Sequence, residues 1–223
     1  MATGKEMKEI YNAMTEICIE VSNLINNVND QLNAKGFIPL GGKKIMYERS
    51  VRWDQPKFWM PYFQQKIWIK EGVSKKGIGI NILFDFEDYS NLYPVVSCGY
   101  LENSKTNLSG KNNDFFNNGW VAGSKVRLEE TSKVYRYANE EETEVIYSYF
   151  IPLDLLQNDL KVNEYIVNPL TLLYESNGNI DSLKEVQNLI GEAMRTTQEI
   201  IDDKIYKTEN YFDVIKRNNS SKQ

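Results

Sequence analysis

Apolar residues open the chain in a strict helical rhythm. Met7, Ile10, Met14, Ile17, Val21, Leu24 and Val28 are separated by alternating steps of three and four, and Tyr11, Cys18, Ile25 and Leu32 widen the same stripe. That period predicts an amphipathic helix from Lys5 to Asn33, stopped by Gly36. The heptad spacing permits a partner helix, although so wide a stripe suits packing on a sheet equally well.

From Phe37 to Phe150 the pattern becomes that of strands. Lys57 to Lys70 is rich in aromatic and β-branched residues, and Gly72 to Gly77 reads as a turn. Ile78, Ile80, Ile82 and Phe84 alternate with Gly79, Asn81 and Leu83, which predicts a half-buried strand. Tyr93 to Leu101 is a further strand, and Asn103 to Gly119, rich in asparagine, reads as a long loop. Val121 to Glu129 with Lys133 to Tyr137 gives one or two strands. Glu140 to Glu142 forms an acidic turn before a last strand, Thr143 to Pro152.

Helical spacing returns in Leu153 to Tyr174, broken by Pro169, and again after Asp181, through Leu183, Val186, Ile190, Met194, Ile201 and Ile205 to Ile215. The polar residues 218–223 are expected to be a mobile tail. Strands grouped apart from helices predict one α+β domain over residues 1–217. A mostly antiparallel sheet of five or six strands would be flanked by a long N-terminal helix and C-terminal helices.

Composition narrows the chemistry. The chain of 223 residues has no histidine, which removes the usual Ser-His-Asp and Cys-His machineries and histidine-ligated metals. Its two cysteines, Cys18 and Cys98, are too few for a cysteine-rich metal site. Both fall in apolar patterns and are expected to be buried free thiols. No apolar run approaches the roughly 18–20 residues that span a bilayer, so no membrane association is expected. Met1 to Ile10 lacks the apolar core of a signal peptide, and a cytoplasmic location is expected. The 24 asparagines, with frequent Lys, Ile and Tyr, fit an AT-rich genome such as that of a low-GC bacterium or its phage.

Charge is unevenly placed in a chain of net charge -5. Residues 35–76 hold ten basic and three acidic side chains, and three of the four tryptophans. Basic and aromatic residues interleaved in this way can grip an anionic planar ligand, with cations on phosphate and rings on a base. Arg49, Arg52 and Lys57 would supply charge, and Trp53, Trp59 and Tyr62 stacking surface. The structural alternative makes the rings sheet core and the lysines solvated strand edges. The acidic total argues against duplex DNA as a partner.

Asp85 and Glu87 share one strand face at i and i+2 and could hold magnesium or manganese in a phosphodiesterase or nuclease, although an acidic strand end is the simpler reading. Gly77-Ile78-Gly79 and Gly41-Gly42-Lys43-Lys44 lack the spacing of nucleotide-binding loops. No cofactor is indicated. The sequence therefore favours a non-enzymatic binding protein that engages a nucleotide-like anion or a protein partner through residues 35–76. A metal-dependent phosphodiesterase or nuclease and a structural oligomer or assembly component are the alternatives, and a homodimer through one helix is expected alongside the binding reading.

Overall fold

The computed structural model describes residues 3–47, 63–73, 75–84, 95–105, 107–108, 127–128, 135–138 and 141–179. Helix α1 spans Gly4–Asn33. A capping box starts it: Glu6 N–H donates to the Thr3 hydroxyl at 3.3 Å, and Thr3 N–H donates to the Glu6 carboxylate at 2.7 Å. At its end, Gly36 takes a φ of 80°, in the left-handed region that glycine adopts without strain, and turns the chain into the sheet.

The expected apolar stripe is present, but it packs over only part of its length. Val21, Ile25, Val28 and Leu32 are buried, whereas Met7 and Tyr11 are each 62% exposed and Ile10 and Ile17 are also exposed. Helix length explains this. Thirty residues at 1.5 Å make about 45 Å, whereas strands of eight or nine residues reach about 30 Å. Cys18 lies on the overshooting half and is exposed, against the expectation of a buried thiol, while Cys98 is a buried free thiol as expected.

Among the described residues eight strands form the sheet: β1 (Phe37–Pro39), β2 (Met46–Tyr47), β3 (Phe63–Lys70), β4 (Lys76–Leu83), β5 (Val95–Asn103), β6 (Arg127–Leu128), β7 (Tyr135–Ala138) and β8 (Glu144–Pro152). Their order is β1-β3-β4-β5-β8-β7-β6, with β2 also on β3, and every pairing is antiparallel. The fold is thus the α+β arrangement the sequence predicts. The strand count exceeds five or six because β1, β2 and β6 are only two or three residues long. Strand β4 departs from expectation in being buried on both faces from Gly77 to Leu83 rather than half-buried.

One face of the sheet carries the helices. Trp68, Ile78, Ile80, Ile82, Val96, Cys98, Tyr100, Tyr149 and Ile151 form a single buried cluster there with Val28 and Leu32 of α1 and with residues of the C-terminal helical stretch. That stretch comprises a 3-10 turn (Leu153–Leu155), α2 (Asp159–Val162), a π turn (Asn163–Val167) and α3 (Asn168–Glu175). Helix α2 starts later than Leu153 because Asn158 caps it, accepting from Lys161 N–H at 3.1 Å.

Pro169 does not break the helix. It has no N–H to offer the Tyr165 carbonyl four residues earlier, and the Tyr149 hydroxyl of β8 donates to that carbonyl at 2.9 Å. The π turn accommodates the proline while a strand side chain takes up the carbonyl. The helix expected after Asp181 and the tail at 218–223 lie outside the described residues.

Candidate functional site

Arg49, Arg52, Trp53, Lys57, Trp59 and Tyr62, and likewise Asp85 and Glu87, lie outside the described residues. Their attachment points are described. Residues 48–62 connect β2 to β3, and Asp85 and Glu87 fall in the connection from β4 to β5. Register places the attachment points Tyr47, Phe63, Leu83 and Val95 at one end of the sheet, since Tyr47 pairs with Gln64, Phe63 with Leu83, and Leu83 with Val95.

The described part of the basic aromatic segment is occupied with holding the fold. Phe37 and Trp68 are core, and Trp68 Nε1 donates to Asn29 Oδ1 at 3.0 Å. Lys70 Nζ donates to the Lys35 carbonyl at 2.6 Å, Lys75 Nζ to the Ser104 carbonyl at 2.7 Å, and Lys76 Nζ to Asn177 Oδ1 at 2.7 Å. Lys66 is 5% exposed rather than a solvated edge. Its ammonium donates to the carbonyls of Leu40 at 3.2 Å, Lys44 at 2.7 Å and Gly42, which clamps the Gly41-Gly42 loop against β3. Burial holds the Lys66 pKa below its ordinary value.

The face of the sheet opposite the helices holds a different arrangement. Gln65 of β3 pairs with Asn81 of β4, and Asn81 pairs with Ser97 of β5. Directly opposed residues point to the same face, so the three side chains form one row across three strands. They are 1%, 0% and 0% exposed. Gln65 Nε2, both amide atoms of Asn81 and the Ser97 hydroxyl have no hydrogen-bond partner. The only other such atom among the described residues is the Tyr174 hydroxyl. Native interiors rarely leave buried polar atoms unpaired, and four on one row call for an explanation.

A second polar feature differs in this respect. A groove of about 480 Å³ between α1 and α2 is lined by Asn27, Asp30, Gln31, Asp159, Leu160 and Asn163. Its amides bond one another: Asn163 Nδ2 donates to Gln31 Oε1 at 2.5 Å, Gln31 Nε2 to Asn27 Oδ1 at 2.6 Å, and Asn27 Nδ2 to Asp159 Oδ1 at 2.5 Å. That ladder ties two helices together with its amides already partnered, whereas the row in the sheet has donors and acceptors to spare.

Beside the row, Gly79 and Gly99 face each other across β4 and β5, both buried and without side chains, so the strip next to the polar atoms is flat backbone. The row itself is uncharged. It can donate and accept hydrogen bonds, and it brings no acid, base or cation of its own. Among the described residues no group of three or more acidic or cysteine side chains is placed to hold a metal ion. No described helix is long and apolar enough to cross a membrane.

Of the row, only Gln65 falls within the segment picked out from the sequence. Asn81 and Ser97 read there as unremarkable positions of apolar strands, and their meeting depends on a register that loop lengths set. No family model matches the chain, and no curated protein or solved structure matches it either.

Proposed function

We propose that the protein is a non-enzymatic binding protein whose ligand is a small nucleotide-like anion, seated on the sheet face that carries Gln65, Asn81 and Ser97. The observation that carries this reading is the row of buried, unpartnered polar atoms. Such atoms destabilise a fold unless something pairs with them, and a ligand supplies that pairing. The segment bearing Arg49, Arg52, Lys57, Trp53, Trp59 and Tyr62 precedes β3, which begins at Phe63, two residues from Gln65 in the chain.

Native mass spectrometry of the gently purified chain tests the proposal. The expected result is a mass excess of nucleotide size that is lost on denaturation and is absent from folded Asn81→Leu. A bare wild-type mass that stays bare with nucleoside mono- and triphosphates added overturns the reading. The exposed half of the α1 stripe supports a second reading, self-association through that helix. A monomeric mass at high protein concentration contradicts it.

A further inference from the structure

We infer that the exposed half of the α1 stripe is covered by the same half of a second copy running antiparallel, with Met7 against the partner's Ile17 and Ile10 against the partner's Met14. The inference rests on the self-association reading above and gives it an arrangement. Val21 is the first buried residue of α1, so the stripe is bare over Gly4–Glu20. Position 12 is the midpoint of that bare length. It is also the midpoint of Met7, Ile10, Met14 and Ile17. A two-fold interface must be self-complementary, with residue i on j and j on i. Turned about position 12, the stripe meets itself side chain for side chain.

The sheet decides the direction. Val21, Ile25, Val28 and Leu32 turn this same face of α1 into the core beside the sheet. Packed helices lie about 8–10 Å apart. In a parallel pair each sheet would therefore fill the space of the other copy's helix. In the antiparallel pair the partner's Thr3 lies level with Val21, so one helix ends where the other's sheet begins.

The area suits a reversible dimer. Met7 and Tyr11 are 62% exposed, Ile10 58% and Ile17 49%, and Met14 is half-buried. At roughly 100 Å² for each of these side chains, two copies would bury about 1,000 Å², the low end for a specific interface. On one flank the exposed Glu6 falls beside the partner's Glu20, and like charges there weaken the pairing.

Sedimentation velocity of the full chain at up to about 1 mM, with oxidation of mixed cysteine variants, tests this. Wild type is expected to dimerise reversibly and Ile10→Asp, whose site is exposed, to stay folded and monomeric. Glu20→Lys puts opposite charges on the flank and is expected to tighten the dimer about tenfold. Met7→Cys and Ile17→Cys, each made with Cys18→Ser, are expected to form a disulfide with each other on mixing and not each with itself. In the antiparallel pair Met7 stands ten positions from its own copy, about 15 Å, beyond the reach of a disulfide. Cys98 is buried and does not compete. Links of each variant to itself alone, or no link, would overturn the arrangement and leave self-association standing. A wild type that stays monomeric, or a dimer that Ile10→Asp does not weaken, would overturn both.

Discussion

The two faces of the sheet are built from the same strands and each buries apolar residues, Ile67, Leu101 and Ile146 on the face away from the helices, but they differ in how their buried polar atoms are paired. On the helix side, Ile78, Ile80, Ile82, Val96, Cys98 and Tyr149 are buried among apolar neighbours. Polar atoms on that side find partners, with the Tyr174 hydroxyl the exception: Trp68 Nε1 on Asn29, the Tyr149 hydroxyl on the Tyr165 carbonyl, and the Tyr100 hydroxyl on Glu102 at 2.7 Å. One residue further along each strand the side chains turn over. There Gln65, Asn81 and Ser97 are just as buried and have atoms without partners. Apolar burial and satisfied hydrogen bonds stabilise the first face. The second face carries a local cost that the first must offset, a pattern expected of sites shaped for something other than stability.

The largest effect that would sharpen this contrast is at Ile80, fully buried on the helix side and next to Asn81 in β4. Ile80→Ala is expected to destabilise the protein by about 2–5 kcal/mol in urea unfolding, through lost transfer energy and the cavity left behind. A loss well under 1 kcal/mol would mean that the helix side is not the main core.

A smaller effect is expected at Tyr149. Tyr149→Phe removes the donor to the Tyr165 carbonyl that Pro169 cannot serve, at a cost of about 1 kcal/mol. Unchanged stability would show that this carbonyl gains nothing from the strand, and the account of the π turn would fail.

The helix side and the order of elements could be read from the chain because their signals are local. The three-four spacing of α1, its stop at Gly36 and the alternation of Ile78, Ile80 and Ile82 each need only a short window of sequence. What could not be read depends on distant parts meeting. The overshoot of α1 depends on strand length, and the passage of the chain through Pro169 depends on a tyrosine from β8. The clamp on Lys66 depends on carbonyls more than twenty positions away in the chain.

The candidate site divides in the same way. A basic aromatic segment is visible in composition, yet its described lysines 66, 70, 75 and 76 are tied to the protein's own carbonyls and amide. Gln65, Asn81 and Ser97 form a row only because three strands pair in one register, and no short window of sequence shows that.

The central claim is that this row serves a ligand and not the fold, and ligand-free stability tests it most directly. Urea unfolding of Asn81→Leu is to be compared with wild type, each refolded from denaturant to remove bound molecules. Replacing an unpartnered buried amide with an apolar side chain of similar size is predicted to stabilise the protein by about 1–2 kcal/mol. A destabilisation of that size would show that Asn81 supports the fold, contradicting the account.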